Sequence, residues 1–265
     1  MNQISLVFER AKKENRAALI GFITAGFPDK NKSFEIATAM VEGGVDLIEV
    51  GFPYSDPVMD GPVIQNAGEV ALSNGVKSKD VIELVSKISN LGVPVLVMTY
   101  WNPIEKYGVS KFASELKNAH GAGLITPDLT VEEASEWNNV ADKLELAKVY
   151  VLAPSSSDER VKLISDNASG FIYAASLMGV TGVRNSLTND ASKLVSRIKK
   201  ESSLPVAVGL GVSNGEQAKT VASYADGVIV GSAFIKIIQT SKDFDSAKVG
   251  VKKLAQELKA KMSLN

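Results

Sequence analysis

Short apolar runs alternate with longer amphipathic stretches along almost the whole chain. The apolar runs predict strands near Leu19–Thr24, Val45–Val50, Val93–Met98, Gly123–Thr126, Leu146–Leu152, Gly170–Ala174, Val206–Val208 and Gly227–Val230. Helix-period patterning predicts helices over Lys32–Glu42, Lys79–Asn90, Ser110–Ala119, Val131–Asp142, Asp158–Asn167, Asp190–Glu201 and Gly215–Ser223, with a closing helix over Asp243–Met262. Met1–Ala17 reads as an amphipathic helix rather than a signal peptide, and Ala233–Gln239 as a short apolar helix. Strands that alternate with helices in this way form parallel βα units.

Both an open sheet and a closed barrel fit that alternation. The polar punctuation separates them. Glu49, Tyr100-Trp101-Asn102, Asp128, Tyr173, Gly209 and Gly231-Ser232 all fall at or just past the C-terminal end of a strand. In a (β/α)8 barrel those ends converge on one mouth, whereas an open sheet needs such residues only at its switch point. The expected fold is therefore α/β, a (β/α)8 TIM barrel with an additional N-terminal helix and a short helix beside the glycine turns. No fixed-period repeat or low-complexity linker divides the chain, so residues 1–265 are expected to form a single domain.

Glu49 stands out within this frame. It lies in the apolar run VDLIEV, with Val45, Leu47 and Glu49 expected on one face and Ile48 and Val50 on the other. A buried carboxylate must be paired, neutralised or used. Among the strand interiors only Lys148 is a candidate partner. Left unpaired, Glu49 is expected to have its pKa raised towards neutrality by desolvation, which suits proton transfer. Asp60 closes the Pro/Gly-rich loop that follows and, on its chemistry alone, reads equally as a turn former or a functional acid. Tyr173 shares the inward parity of Phe171, and its phenol needs a partner, which could be structural, Glu49 or a ligand. Phe22 reads as a core aromatic or as the wall of a planar site.

Three glycine turns lie late in the chain: Gly179-Val-Thr-Gly182, Gly209-Leu-Gly211 and Gly231-Ser232. Each alone could be an ordinary tight turn. Together, on neighbouring strands, they suggest backbone N–H groups gathered round a phosphate, with the helix after Gly231 adding its dipole. No Walker A spacing occurs, and Gly209-Leu-Gly211 lacks the third glycine of a dinucleotide fingerprint.

Composition narrows the chemistry further. Hydrophobic residues make up 45% of the 265, enough for a large core, and the net charge of -1 offers no field to recruit nucleic acid or an anionic membrane. No apolar run reaches the roughly 18 residues that span a bilayer, so a soluble, cytoplasmic protein is expected. The absence of cysteine removes disulfides, thiolate metal sites and thiol nucleophiles. The single histidine, His120, follows a helix and is expected on the surface, so no dedicated metal centre is expected; only carboxylate-bound magnesium is left open.

The segment LIEVGFPYSDPVMDGPVIQNA, Leu47–Ala67, closely resembles the signature of the tryptophan synthase alpha subunit. The resemblance continues in order through Met98–Pro103, Pro127–Glu133, Tyr173, Gly179–Gly182, Val208–Val212 and Val230–Ala233. It implies a barrel that cleaves indole-3-glycerol phosphate to indole and glyceraldehyde 3-phosphate. Glu49 would shuttle protons, Asp60 would hold the indole N–H, and Tyr173 would stand beside Glu49. Phe22, Ile64 and Tyr100 would line the indole pocket, Thr181 and Gly182 would belong to a closing lid, and Gly211, Gly231 and Ser232 would hold the phosphate. The resemblance further implies no cofactor in this chain. It places pyridoxal phosphate in a beta subunit that docks over the mouth in an alpha2-beta2 heterotetramer, with Asp56 and the Pro53–Asp60 loop between the subunits. Leu210, Thr130 and Ala122 depart from the usual Phe, Pro and Asp, bearing on pocket shape and loop stiffness. Competing readings are a stand-alone lyase that releases free indole, an isomerase of another phosphosugar, and a barrel that only activates a partner.

Overall fold

A computed structural model describes residues 3–175, 184–209 and 211–263, with the side chains of 184–189 excepted. Eight parallel strands close into a barrel in chain order. They are β1 (Ala18–Thr24), β2 (Leu47–Gly51), β3 (Val95–Met98), β4 (Gly123–Thr126), β5 (Ala147–Leu152), β6 (Ile172–Ala175), β7 (Val206–Gly209) and β8 (Gly227–Val230). Closure runs through β1 and β8, with Ile20 opposite Ile229. It leaves no unpaired edge.

The helices are α1 (Gln3–Lys13), α2 (Lys30–Glu42), α3 (Pro62–Ser73), α4 (Ser78–Ser89), α5 (Trp101–Tyr107), α6 (Val109–Asn118), α7 (Ser135–Leu144), α8 (Asp158–Asn167), α9 (Arg184–Glu201), α10 (Gly215–Ala222), α11 (Ser232–Thr240) and α12 (Phe244–Lys261). Two of these, α3 and α5, do not follow from the hydrophobic pattern. Helix α3 starts with Pro62 in its first turn, where a missing N–H is harmless. Helix α5 is short, and its start is held from outside: the Trp101 N–H donates to both carboxyl oxygens of Asp128, at 3.0 and 3.1 Å. Helix α7 begins at Ser135, later than the pattern suggests.

Strand alternation divides the core into two layers. Ile48, Val50, Val95, Val97, Val206 and Val208 face outward under the helices. Ile20, Leu47, Leu96, Ile125, Val149, Phe171 and Ala207 fill the barrel interior. Val45 does not share the face of Leu47 and Glu49 as expected. It precedes the first residue of β2 and packs in the outer layer with Met40 and Gly21.

The N-terminal helix α1 is the floor of the barrel. Ile4, Val7, Phe8 and Ala11 join the interior cluster from below, and the Phe8 and Phe171 rings stand 5.6 Å apart. Beside it lies a buried ion cluster. Asp46, 1% exposed, takes the Arg16 guanidinium at 2.6 and 2.8 Å, the Leu19 N–H at 2.9 Å, and Arg10 and Lys259 at 3.3 Å each. Burial pushes the Asp46 carboxyl up, but Arg16, the Leu19 N–H and Lys259 outweigh it and hold the pKa below the usual carboxylate range.

Candidate active site

Glu49 sits at the middle of β2 rather than at its C-terminal end, level with Phe22 on β1 and Leu96 on β3. Its inward parity with Leu47 carries the side chain into the closed interior, where it is 0% exposed. Neither carboxyl oxygen has a hydrogen-bond partner among the described residues. Lys148, the one cation the sequence offers as a partner, points outward between Ala147 and Val149 and takes Asp142 at 2.6 Å. Burial alone, with no cation to oppose it, pushes the Glu49 pKa up to about 8. At neutral pH the carboxyl is mostly protonated.

Tyr173 is inward on β6, packed against the same interior cluster. Burial raises its pKa well above the ordinary phenol value, and the charges of Glu49 and then Asp60 add to the shift. These three groups therefore share one electrostatic neighbourhood. A Cβ at Gly209 would collide with the Tyr173 hydroxyl, so this glycine makes room for the ring. Gly51 does the same for Phe22. The sequence leaves Gly209 between an ordinary tight turn and an anion-binding one; close packing is its visible task here.

Above Glu49, which does not itself line it, a narrow cleft opens at the C-terminal ends of β1 to β4. Phe22, Ile64, Met98, Tyr100 and Pro127 give it apolar walls, and Asp60 supplies the acid. The Tyr54 and Tyr100 rings lie 5.2 Å apart at its rim. Asp60 is half-buried; burial raises its pKa to about 6, with the Tyr100 hydroxyl pulling the other way. The two acids thus stand in different protonation states at pH 7, a separation that assigns acid and base roles in many enzymes.

The remaining expected residues divide into two groups. Gly231 caps α11 and Ser232 opens it, with no acidic side chain in the first turn to oppose an anion. A Cβ on Gly231 would stand 3.2 Å from Phe22 Cβ, so this turn backs directly onto the wall of the cleft. Gly211 has φ of +64°, a conformation suited to glycine. Thr181, Gly182 and Leu210 lie outside the described residues. His120 is exposed at φ of +60° after α6, away from the interior. Of the departures, Ala122 stands at the foot of β4, its N–H on Val95 O, and so lies far below the cleft. Thr130 is exposed and bonds Glu133 at 2.9 Å.

Two lining residues escape sequence reading. Thr24 shares the parity of Ile20 and Phe22, and its buried hydroxyl has no partner among the described residues. That parity was a usable signal. Gln65 carries no comparable one, because nothing in the pattern distinguishes it from a surface residue of α3. Among the described residues no group of three or more His, Cys, Asp or Glu could hold a metal, and no helix is long and apolar enough to cross a membrane.

A family model described as tryptophan synthase alpha chain matches residues 8–263. The tryptophan synthase alpha chain of Thermobifida fusca is 52% identical, with 94% of each chain covered. That of Salinispora arenicola is 48% identical over 98% of this chain and 97% of its own. Among solved structures, a chain of Mycobacterium tuberculosis tryptophan synthase superposes with a TM-score of 0.92 at 45% identity, covering 100% of this chain and 99% of that one. The Legionella pneumophila alpha subunit superposes at 0.89 with 34% identity, covering 99% and 98%. Similarity of this extent, on the same barrel, settles descent: the chain belongs to the tryptophan synthase alpha chain family, the lyase component of tryptophan biosynthesis.

Proposed function

We propose that Glu49 and Asp60 divide the proton and charge work of cleaving indole-3-glycerol phosphate to indole and glyceraldehyde 3-phosphate. The observation that carries this reading is the unpaired, fully buried Glu49 carboxyl with a pKa near 8. A protonated carboxyl delivers its proton to indole C3. The ring nitrogen then carries positive charge, and the ionised Asp60, at the cleft wall, accepts the N–H hydrogen bond and stabilises it. The carboxylate left at Glu49 takes the proton from the side-chain hydroxyl next to the ring. As that O–H breaks, its electrons form the aldehyde carbonyl. The C–C bond breaks and its pair returns to the ring, restoring neutral indole. Glu49 ends protonated, ready for the next turnover, and no atom is gained or lost.

Tyr173 packs beside Glu49 and keeps water from it. Phe22, Ile64 and Tyr100 sandwich the flat ring, while Gly211, Gly231, Ser232 and the dipole of α11 receive the phosphate. Thr181 and Gly182, outside the described residues, are assigned to substrate binding on the family resemblance alone. The reaction needs no cofactor from this chain; pyridoxal phosphate belongs to the beta partner. Membership of the family implies such a partner, and we place it over the mouth in an alpha2-beta2 assembly in the cytoplasm. The exposed apolar side chains Val58 (80%) and Met59 (50%) on the Pro53–Asp60 loop suit that docking. The test is indole release from indole-3-glycerol phosphate by the purified chain, alone and with a beta chain. Absence of indole in both, from folded protein, would overturn the reading.

A further inference from the structure

The loop that carries Asp60 has little apolar packing to hold it. Val58 and Met59 point into solvent, and Gly61, at the start of α3, offers no side-chain cap. Hydrogen bonds hold it instead. The Gln65 Nε2 group donates to Asp60 O at 3.0 Å and to Pro57 O at 3.3 Å. Pro57 O also accepts the Asp60 N–H at 3.0 Å. Only the nitrogen end of an amide can face two carbonyls, so the orientation of Gln65 is fixed by its partners. On the other side, the Met59 N–H donates to the Tyr100 hydroxyl at 2.8 Å.

Helix α3, from which Gln65 reaches, is itself anchored. Gln239, near the end of α11, donates to Val63 O at 3.2 Å and Asn66 Oδ1 at 2.9 Å. The first turn of α3 is thereby tied to the helix that opens at Ser232. Gln65 thus joins an exposed turn to an anchored helix.

We infer that Gln65 is a positioning residue for Asp60: its amide ties the Pro57–Asp60 turn to α3 and sets where the Asp60 carboxylate meets the indole N–H. This rests on the role given to Asp60 above. The amide does not touch the reacting atoms; it acts through the backbone of the residue that does. A displacement of about 1 Å in such a group can lower turnover by about a hundredfold.

Gln65→Met keeps the side-chain length and removes both donors. Its kcat is expected to fall by about tenfold to a hundredfold, with KM within about twofold and a melting temperature near that of the parent. The same change in an Asp60→Asn background is expected to lower kcat by less than about twofold, because the group it positions is already gone. Parental kcat in Gln65→Met, an equal penalty in both backgrounds, or an effect confined to KM overturns the inference. If Gln65→Met does not fold, Gln65→Glu, which at neutral pH cannot donate, is read through the same cycle with the same outcomes. A parental rate in Asp60→Asn would instead overturn the underlying role of Asp60, so the two failures are distinguishable.

Discussion

Asp46 and Glu49 are buried acids three residues apart, one at the floor of the barrel and the other near its mouth. Desolvation opposes ionisation of both. At the floor, Arg16, Arg10, Lys259 and the Leu19 N–H converge on the carboxylate and keep it charged. Near the mouth no cation among the described residues reaches Glu49, and burial leaves the carboxyl mostly neutral near pH 7. The first acid is a tie between β2, α1 and α12, while the second is a stored proton. Burial is common to both acids; what supports the catalytic role proposed for Glu49 is the lack of compensation among the described residues.

Removing the stored proton gives the largest effect. Glu49→Gln should lower kcat by about a hundred- to ten-thousandfold, the range for losing a general acid–base, while indole-free phosphate binding and the fold persist; steady-state indole release and circular dichroism check both. Breaking the floor acts on the other property. Arg16→Met leaves Asp46 with only Arg10, Lys259 and the Leu19 N–H and should remove up to about 3–5 kcal/mol of stability, the range for halving a buried pair, with kcat per folded molecule unchanged. Urea unfolding beside active-site titration reads it, and a matching loss of kcat would show that floor and mouth are not separable.

Asp60→Asn should lower kcat by about a hundredfold or more, as for a lost transition-state partner. In the parent, kcat/KM should rise with pH near 6 as Asp60 ionises and fall near 8 as Glu49 loses its proton. The acidic limb should vanish in Asp60→Asn. The pH dependence of stability has opposite sign at the two acids. The Glu49 pKa is raised in the folded state, so its contribution is intact below about 4.5 and is lost as pH rises towards 8. Glu49→Gln should therefore gain melting temperature over the parent across that window. The Asp46 pKa is lowered, so its contribution is present above the ordinary carboxylate range and lost as pH falls through the folded value. A parent and Glu49→Gln whose melting temperatures run parallel from pH 5 to 8 would break the comparison.

The barrel was legible because strand length, helix period and polar strand ends all pointed one way. Gly123–Thr126, Gly227–Val230 and Asp158–Asn167 fall as the pattern places them. Helices α3 and α5 were hidden because each follows a Pro- or aromatic-rich strand end, where the residues serve the mouth rather than an apolar stripe. Of the residues proposed for the indole half, Glu49 declares itself by type and parity, whereas Asp60 and Phe22 stay open to a structural reading on chemistry alone and the role of Tyr100 comes only from the family resemblance. The phosphate half proposed here rests mostly on backbone N–H groups, which leave little but glycines in the sequence, and Gly209 has a packing task as well. Gln65 was invisible because its work is done on two carbonyl groups, and every residue has one.

Glu49 is held neutral at physiological pH by burial, with no compensating cation among the described residues. Infrared difference spectroscopy of parent against Glu49→Gln across pH 4 to 10 tests that directly. The account predicts a protonated-carboxyl band, absent from the variant, that persists through pH 7 and titrates away near pH 8. A band that disappears at the ordinary glutamate pKa, near 4.5, would contradict it.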